Sequence, residues 1–209
     1  MKLPRIYPIL DTQSLAARAI PLDTAAAAFL EGGAGILQIR HKGHWSRADF
    51  DSAKLVARLC REAGASLIVN DRADFALLLE AGLHIGQDDL PPRDARRLMG
   101  AAATIGFSSH DSRQLCAAGE EPVDYVALGP IFATASKGNP DPVVGVAELR
   151  RSRPLIGKPL VAIGGITLEN ATEVLRAGAD SLAVIAGLLP AEPTARSLRE
   201  RMEAWRRAV

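Results

Sequence analysis

Short apolar runs alternate with segments of helical spacing along the chain, and this alternation limits the folds that are open to it. Helical spacing is seen at residues 48–62, 75–80 and 170–176, and a final helical segment spans 194–207. Strands that alternate with helices build a parallel sheet, which is either open and doubly wound or closed into a (β/α)8 barrel. The eight candidate strands are residues 6–10, 36–39, 67–69, 83–85, 104–107, 125–128, 160–163 and 181–185.

The number of strands favours the closed barrel. A helix follows the eighth strand, and the sequence has no dinucleotide-type glycine fingerprint of the kind that open sheets often carry. A length of 209 residues lies near the lower end for this fold, so we expect short loops. We predict an α/β protein whose residues 1–209 form a single (β/α)8 barrel domain. The one long irregular stretch, residues 131–144, is more often functional than idle in so compact a domain.

Composition excludes several classes of protein. With 48% hydrophobic but only 4% aromatic residues, the core must be aliphatic, as in buried parallel sheets. The net charge of +1 and the lack of a basic block argue against nucleic-acid binding. The apolar runs are too short for a membrane span. The start MKLPRIYP lacks a secretory signal, and Cys60 and Cys116 lie far apart, so we expect a cytoplasmic location and inert thiols.

Helix ends are also marked. Ser46 followed by Asp49 predicts an N-terminal cap with an acid in the first turn. Several glycines directly follow a helical run, where a residue of left-handed conformation is favoured. These glycines are Gly32, Gly64, Gly82, Gly119 and Gly178.

Polar side chains follow most of the predicted strands. In a (β/α)8 barrel the carboxyl ends of all strands meet at one rim, where the active site lies. Alternate residues of an extended segment point the same way, so Gln38, Arg40 and Lys42 should face one side. The other polar or glycine-rich strand ends are Asn70-Asp71, Gln87 to Asp89, Ser108, Gly129 to Lys137, Gly164-Gly165-Ile166 and Ile185-Ala186.

This set of residues predicts one metal site and two anion sites. Asp71 and Asp89 lie at neighbouring strand ends, where they can share Mg²⁺, which takes one or two carboxylates and completes its shell with water and phosphate oxygens. Arg40, Lys42 and Lys137 can neutralise the same phosphates. The loops after the seventh and eighth strands are the usual phosphate site of this fold, and the Gly-Gly turn exposes backbone N–H groups there.

Each residue also has a purely structural interpretation. Asp71 and Asp89 both precede helices and could cap them. The Gly-Gly pair could be a simple turn, and Arg40 and Lys42 could be solvated surface charges. His84 fits a hydrogen-bonded core histidine and is given no role, whereas the role of His110, near the rim, stays open. The common location at strand ends favours the functional interpretation.

Six stretches of the sequence resemble the signature motifs of the thiamine phosphate synthase family. They occur in the family's order across residues 37–188, and their combination is specific although each alone is weak. The stretches are LQIRHK, IVNDRADFAL, LHIGQDDL, IGFSSH, DYVALGPIFATASK and AIGGIT.

The resemblance implies a (β/α)8 barrel that joins hydroxymethylpyrimidine diphosphate to a thiazole phosphate, with Mg²⁺ and without a strong general base. The pyrimidine methylene would become cation-like before the thiazole nitrogen attacks. Asp71 and Asp89 would bind Mg²⁺, and Arg40, Lys42, Ser108 and Lys137 would be catalytic. The implied substrate-binding residues are Gln38, Arg40, Lys42, Asn70, Ser108 and Lys137 for the pyrimidine diphosphate, and Thr134, Ser136, Gly165, Ile185 and Ala186 for the thiazole phosphate.

Some positions depart from the family's pattern, and Ala186 matters most because it removes a hydroxyl near the expected thiazole phosphate. The others are Leu10, Ala81, Ala133 and Ser136.

A related thiazole tautomerase, for which His110 would be the acid–base candidate, is one alternative function. A non-catalytic barrel that binds a thiamine precursor is another. The expected partners are small-molecule substrates, and the sequence leaves the oligomeric state open, including a homo-oligomer.

Overall fold

Eight parallel strands form a closed barrel in the computed structural model, which describes residues 3–134 and 142–209. Each strand pairs with the next along the chain, and β8 closes the barrel by pairing with β1. The prediction of a (β/α)8 barrel is therefore confirmed. The strands are β1 Ile6–Asp11, β2 Ile36–Arg40, β3 Ser66–Asn70, β4 Gly82–Ile85, β5 Ile105–Ser109, β6 Tyr125–Leu128, β7 Leu160–Ile163 and β8 Ser181–Val184.

Helices surround the barrel and connect its strands. Short 3₁₀ helices at Arg153–Leu155 and Ala186–Leu188 precede β7 and follow β8. In the described part of the chain no helix is long and apolar enough to cross a membrane. The α-helices are α1 Thr12–Ala16, α2 Leu22–Glu31, α3 Arg47–Glu62, α4 Ala73–Leu78, α5 Pro92–Met99, α6 Ser112–Glu120, α7 Val146–Ser152, α8 Ala171–Arg176 and α9 Ala195–Ala208.

The buried side chains form two layers, because successive side chains of a strand point to opposite faces. The outer layer fills the space between barrel and helices with aliphatic residues, including Leu10, Leu37 and Ile39. The inner layer fills the barrel, with Tyr7, Ile9, Ile36, Ile68, Tyr125, Ala127, Val161 and Ala183 among its members. Strand positions that face inward near the carboxyl ends therefore point to the rim.

Most element boundaries agree with the sequence patterns. Ser46 caps α3 and forms a capping box with Asp49, as predicted. The helix predicted at residues 75–80 is displaced and ends at Leu78, because Glu80 has a positive φ of 53° that turns the chain out of the helix. Cys60 and Cys116 are free thiols, and burial raises the pKa of Cys60 to about 11, which agrees with inert packing.

The prediction for helix-ending glycines is right at two positions only. Gly64 and Gly178 have positive φ angles of 65° and 112°. The prediction is wrong for Gly32, which stays right-handed at φ −70°. It is also wrong for Gly119, which lies inside α6, and for Gly82, which begins β4. Position 82 has no room for a side chain, because an added Cβ would lie 2.7 Å from the Thr104 carbonyl oxygen.

Candidate active site

A cavity of about 430 Å³ opens at the carboxyl ends of the strands. Every predicted site residue that the structure describes lines it, although these residues come from all parts of the sequence. Ser136 and Lys137 lie outside the described residues. The predicted residues that line the cavity are Gln38, Arg40, Lys42, Asn70, Asp71, Asp89, Ser108, Thr134, Gly165, Ile185 and Ala186.

Asp71 and Asp89 lie side by side at the rim, and neither caps a helix. Arg72 and Pro91 hold the N-cap positions of α4 and α5, without side-chain hydrogen bonds. Asp71 has a positive φ of 66°, a conformation that costs a non-glycine residue about 1–3 kcal/mol and is typical of functional sites. Its N–H donates to the His84 carbonyl at 2.8 Å, which ties the end of β3 to β4.

The burial and closeness of these two carboxyl groups favour a positive charge beside them. Burial raises the pKa of Asp71, and the neighbouring Asp89 carboxyl raises it further, while Lys42 acts in the opposite direction. The Lys42 ammonium donates to Asp71 Oδ2 at 2.5 Å. No group of three or more His, Cys, Asp or Glu that could bind a metal occurs in residues 3–134 and 142–209. Two carboxylates suit Mg²⁺, which usually keeps several waters and substrate oxygens in its shell.

Arg40 is fixed by an acid that the sequence patterns missed. Its guanidinium forms an ion pair with Asp11, the last residue of β1, whose Cα pairs with that of Arg40 in the barrel. Asp11 is buried, and its Oδ1 also accepts hydrogen bonds from Ser14 N and Oγ at 2.8 and 2.6 Å. The ion pair with buried Asp11 therefore holds the Arg40 side chain in the cavity wall. Only the register of β1 with β2 places Asp11 beside Arg40, and the pattern of a single strand does not contain that register.

Among the described residues, Asn70 supplies a buried polar atom that has no partner. The residue is only 6% exposed and lines the cavity. Within the described residues its Nδ2 has no hydrogen-bond acceptor. A buried unsatisfied amide costs about 1–3 kcal/mol, so such a group in a cavity wall indicates that a ligand supplies the acceptor.

A chain of side-chain hydrogen bonds crosses the barrel below the rim. Gln38 Nε2 donates to the Tyr7 hydroxyl at 3.0 Å, and Tyr7 and Tyr125 share a hydrogen bond of 2.8 Å. The Tyr125 hydroxyl lies 3.0 Å from His84 Nδ1, and His84 Nε2 lies 2.8 Å from Ser108 Oγ. Tyr7, His84 and Tyr125 were missed as cavity residues. Period-two alternation along β1, β4 and β6 would have placed them inside the barrel.

His110 also reaches the cavity. Its Nδ1 lies 2.9 Å from the Gly129 carbonyl oxygen. A carbonyl can only accept, so Nδ1 carries a hydrogen and the ring is held against the loop after β6. His110 therefore borders the side of the cavity that Ala133 and Thr134 also line.

Backbone forms the opposite wall, after β7 and β8. Gly164 and Gly165 have positive φ angles of 99° and 63°, and a Cβ on Gly165 would lie 2.6 Å from the Ala133 carbonyl oxygen. Asn170 Nδ2 donates to the Gly165 carbonyl at 3.0 Å and holds the turn. The first N–H groups of the 3₁₀ helix Ala186–Leu188 have no acceptor within that helix. This wall can bind an anion through backbone N–H groups.

Comparison with known proteins agrees with this geometry. A sequence model described as thiamine monophosphate synthase matches residues 6–188. The thiamine-phosphate synthase of Koribacter versatilis is 46% identical over 192 residues, which are 90% of each chain. That of Moorella thermoacetica is 41% identical over 180 residues, 86% of each chain.

Solved structures give the same result. The thiamine phosphate pyrophosphorylase of Pyrococcus furiosus superposes with a TM-score of 0.85 at 32% identity, over 98% of this chain and 94% of that one. The family match spans most of the chain and includes every predicted site residue. The chain therefore belongs to the thiamine monophosphate synthase family.

Proposed function

We propose that the chain is a thiamine-phosphate synthase that uses Mg²⁺ to join hydroxymethylpyrimidine diphosphate to a thiazole phosphate, with release of pyrophosphate. The observation that carries this proposal is the composition of one cavity. A carboxylate pair and two cationic side chains lie on one side, and a glycine-rich backbone wall lies on the other. Two anionic substrates need such an arrangement, because one binds through metal and cations and the other through backbone N–H groups.

Asp71 and Asp89 would hold the metal ion. The fit rests on two adjacent carboxyl groups, of which Asp71 has a pKa raised by burial and by its neighbour, so that a positive charge beside them would be favourable. Bound there, Mg²⁺ supplies charge neutralisation for the diphosphate. Lys42, which contacts Asp71, would bind the same phosphates.

The residues of the chain would favour departure of pyrophosphate. The C–O bond of the diphosphate ester breaks with its electron pair on the leaving oxygen, and Arg40 and Lys42 stabilise that charge. Lys137, outside the described residues, would add a third cation. The thiazole nitrogen then gives its lone pair to the methylene carbon, so no strong base is needed. Apolar side chains such as Ile9, Ile163 and Ile166 line the cavity and keep water from the reacting carbon.

The two alternatives are less well supported. A tautomerase needs an acid–base group, but it has no use for a carboxylate pair that lies beside Arg40 and Lys42 in one cavity. A non-catalytic barrel would not need to activate a leaving group.

We also propose a cytoplasmic location, which the free thiols of Cys60 and Cys116 support because reducing compartments keep thiols unpaired.

A direct assay tests the proposal. Purified protein is mixed with both precursors and Mg²⁺, and thiamine phosphate and pyrophosphate are measured together. Equal amounts of both products should form, and a chelator should stop their formation. Absence of thiamine phosphate at saturating substrates would refute the proposed reaction, and full activity in chelator would refute the metal assignment alone.

Ala186 permits a gain-of-contact prediction. Replacement by Ser restores a hydroxyl at the anion wall, and one added hydrogen bond to a phosphate corresponds to about a three- to ten-fold lower KM for the thiazole phosphate. Steady-state kinetics with each substrate varied in turn would measure it. The KM for the pyrimidine diphosphate is the internal control and should not change. An unchanged KM for the thiazole phosphate would mean that backbone N–H groups alone bind the phosphate.

Gly165→Ala should damage the same wall from the backbone. The added Cβ meets the Ala133 carbonyl oxygen at 2.6 Å, and φ is 63°, so the turn must shift. We expect a destabilisation of about 1–3 kcal/mol and a raised KM for the thiazole phosphate. Thermal unfolding and kinetics would measure the two effects. Gly64→Ala, with a φ of 65° but open space around it, separates backbone strain from loss of the anion wall.

A further inference from the structure

The hydrogen-bond chain inside the barrel can run in only two directions. Its members are Gln38, Tyr7, Tyr125, His84 and Ser108, in that order, and they come from β2, β1, β6, β4 and β5. Each phenol has one hydrogen, so each can donate to only one neighbour. Because both phenols are buried, each hydrogen needs an acceptor within the chain, so the direction at one end determines the direction at the other.

Burial keeps both phenols of this chain neutral. Tyr7, Tyr125 and Gln38 are at most 3% exposed, and His84 is 8% exposed. Burial raises the pKa of Tyr7 and that of Tyr125, so both phenols keep their hydrogens. An imidazole nitrogen that accepts a hydrogen bond carries no hydrogen, so a bond accepted at one nitrogen of His84 leaves the other nitrogen as the donor and makes His84 a directional link between Tyr125 and Ser108.

The Gln38 amide sets the direction. Its Nε2 donates to the Tyr7 oxygen, and among the described residues the Tyr125 oxygen is the acceptor within reach of the buried Tyr7 hydrogen, so Tyr7 donates to Tyr125. Tyr125 then donates to His84 Nδ1, which must be unprotonated, and His84 Nε2–H donates to Ser108 Oγ. Among residues 3–134 and 142–209, Ser108 Oγ has no hydrogen-bond partner other than His84. Its hydrogen is therefore available to an acceptor in the cavity, which Ser108 lines.

We propose that this one-way chain makes Ser108 a hydrogen-bond donor, so that the site selects a neutral heteroaromatic ring with an unprotonated ring nitrogen. Tyr7, Tyr125 and His84 act as positioning residues, because they set the direction of the bond without contact with the reacting atoms. The inference rests on the proposed function for the identity of that ring, a pyrimidine. In the opposite direction Ser108 would donate to His84, and its hydroxyl could only accept from the substrate.

The direction can be measured in the free protein. NMR of protein labelled with ¹⁵N in its histidines reports which ring nitrogen of His84 carries hydrogen, and His84→Asn assigns the signal. We expect a single tautomer with a protonated Nε2. Tyr125→Phe removes the donor to Nδ1, so a mixture of tautomers should appear. A protonated Nδ1 in the wild type would overturn the proposal, whether or not the protein makes thiamine phosphate.

Kinetics test the consequence for specificity. Tyr125→Phe should raise the KM for the pyrimidine diphosphate about three- to ten-fold, the equivalent of one hydrogen bond, and leave the KM for the thiazole phosphate unchanged. An inhibitor analogue with C–H in place of both ring nitrogens should bind wild type and variant equally. An equal loss of affinity for this analogue would show a general packing defect and overturn the role in selection.

Ser152→Ala is the matched control. It removes another buried hydroxyl, which bonds to Glu148 Oε1 at 3.2 Å on α7, outside the cavity. The His84 signals and both KM values should stay at wild-type values in this variant. A change of the His84 tautomer in Ser152→Ala would show that the spectrum reports general stability and not the direction of the chain.

Discussion

Asp71→Asn and Asp89→Asn should each lower kcat at least about 10²–10³-fold while the barrel stays folded. Asn keeps the shape of Asp but loses the charge that binds Mg²⁺. It also tolerates positive φ, which position 71 requires at 66°. Because burial and Asp89 raise the pKa of Asp71, loss of its charge should leave the free energy of unfolding nearly unchanged. Product formation and thermal unfolding would measure the two quantities.

Asp88→Asn is the matched control for this prediction. Asp88 is exposed beside Asp89 and is not part of the cavity wall, so its loss should affect neither turnover nor Mg²⁺ affinity. Calorimetric titration of the free proteins with Mg²⁺ gives a readout that does not depend on turnover. Binding of unchanged affinity in Asp71→Asn and Asp89→Asn would disprove the metal assignment even if both variants were inactive.

The sequence predicts the barrel and most of the site because both depend on local patterns. Strand runs separated by helical spacing give the fold, and the rule that carboxyl ends share one rim collects Arg40, Asn70 and Asp71 before any distance is known. The helix after β3 was displaced by two residues, since a positive φ at Glu80 leaves no clear signal in a non-glycine residue.

The contacts that the sequence could not predict join strands that are distant along the chain. Tyr7 and Tyr125 are 118 residues apart, and their hydroxyl groups meet only because the barrel closes. The Asp11–Arg40 ion pair depends on the register of β1 with β2, which neither strand encodes alone. A histidine in a strand pattern is usually a core residue, and His84 is one, but its two ring nitrogens link Tyr125 to the cavity residue Ser108.

Arg40→Met should lower both activity and stability, for two different reasons. Loss of the guanidinium removes charge stabilisation of the leaving diphosphate, which corresponds to about 10²–10³-fold in kcat/KM. It also leaves Asp11 buried and unpaired, and such a change costs about 3–5 kcal/mol of unfolding free energy. For a chain of this size that is roughly a 6–20 °C lower Tm. Arg47→Met, at a side chain that is 96% exposed, should change neither quantity.

The double variant Asp11→Asn/Arg40→Met separates the two effects. The introduced asparagine can still accept from the Ser14 N–H and cap α1, but it carries no charge that needs Arg40. Most of the lost Tm should therefore return, because replacing both members of a buried pair costs far less than removing one. Activity should stay as low as in Arg40→Met, since Met has no charge for the diphosphate. If stability and activity returned together, Arg40 would act only by holding the barrel rim, and its direct contact with the diphosphate would be refuted.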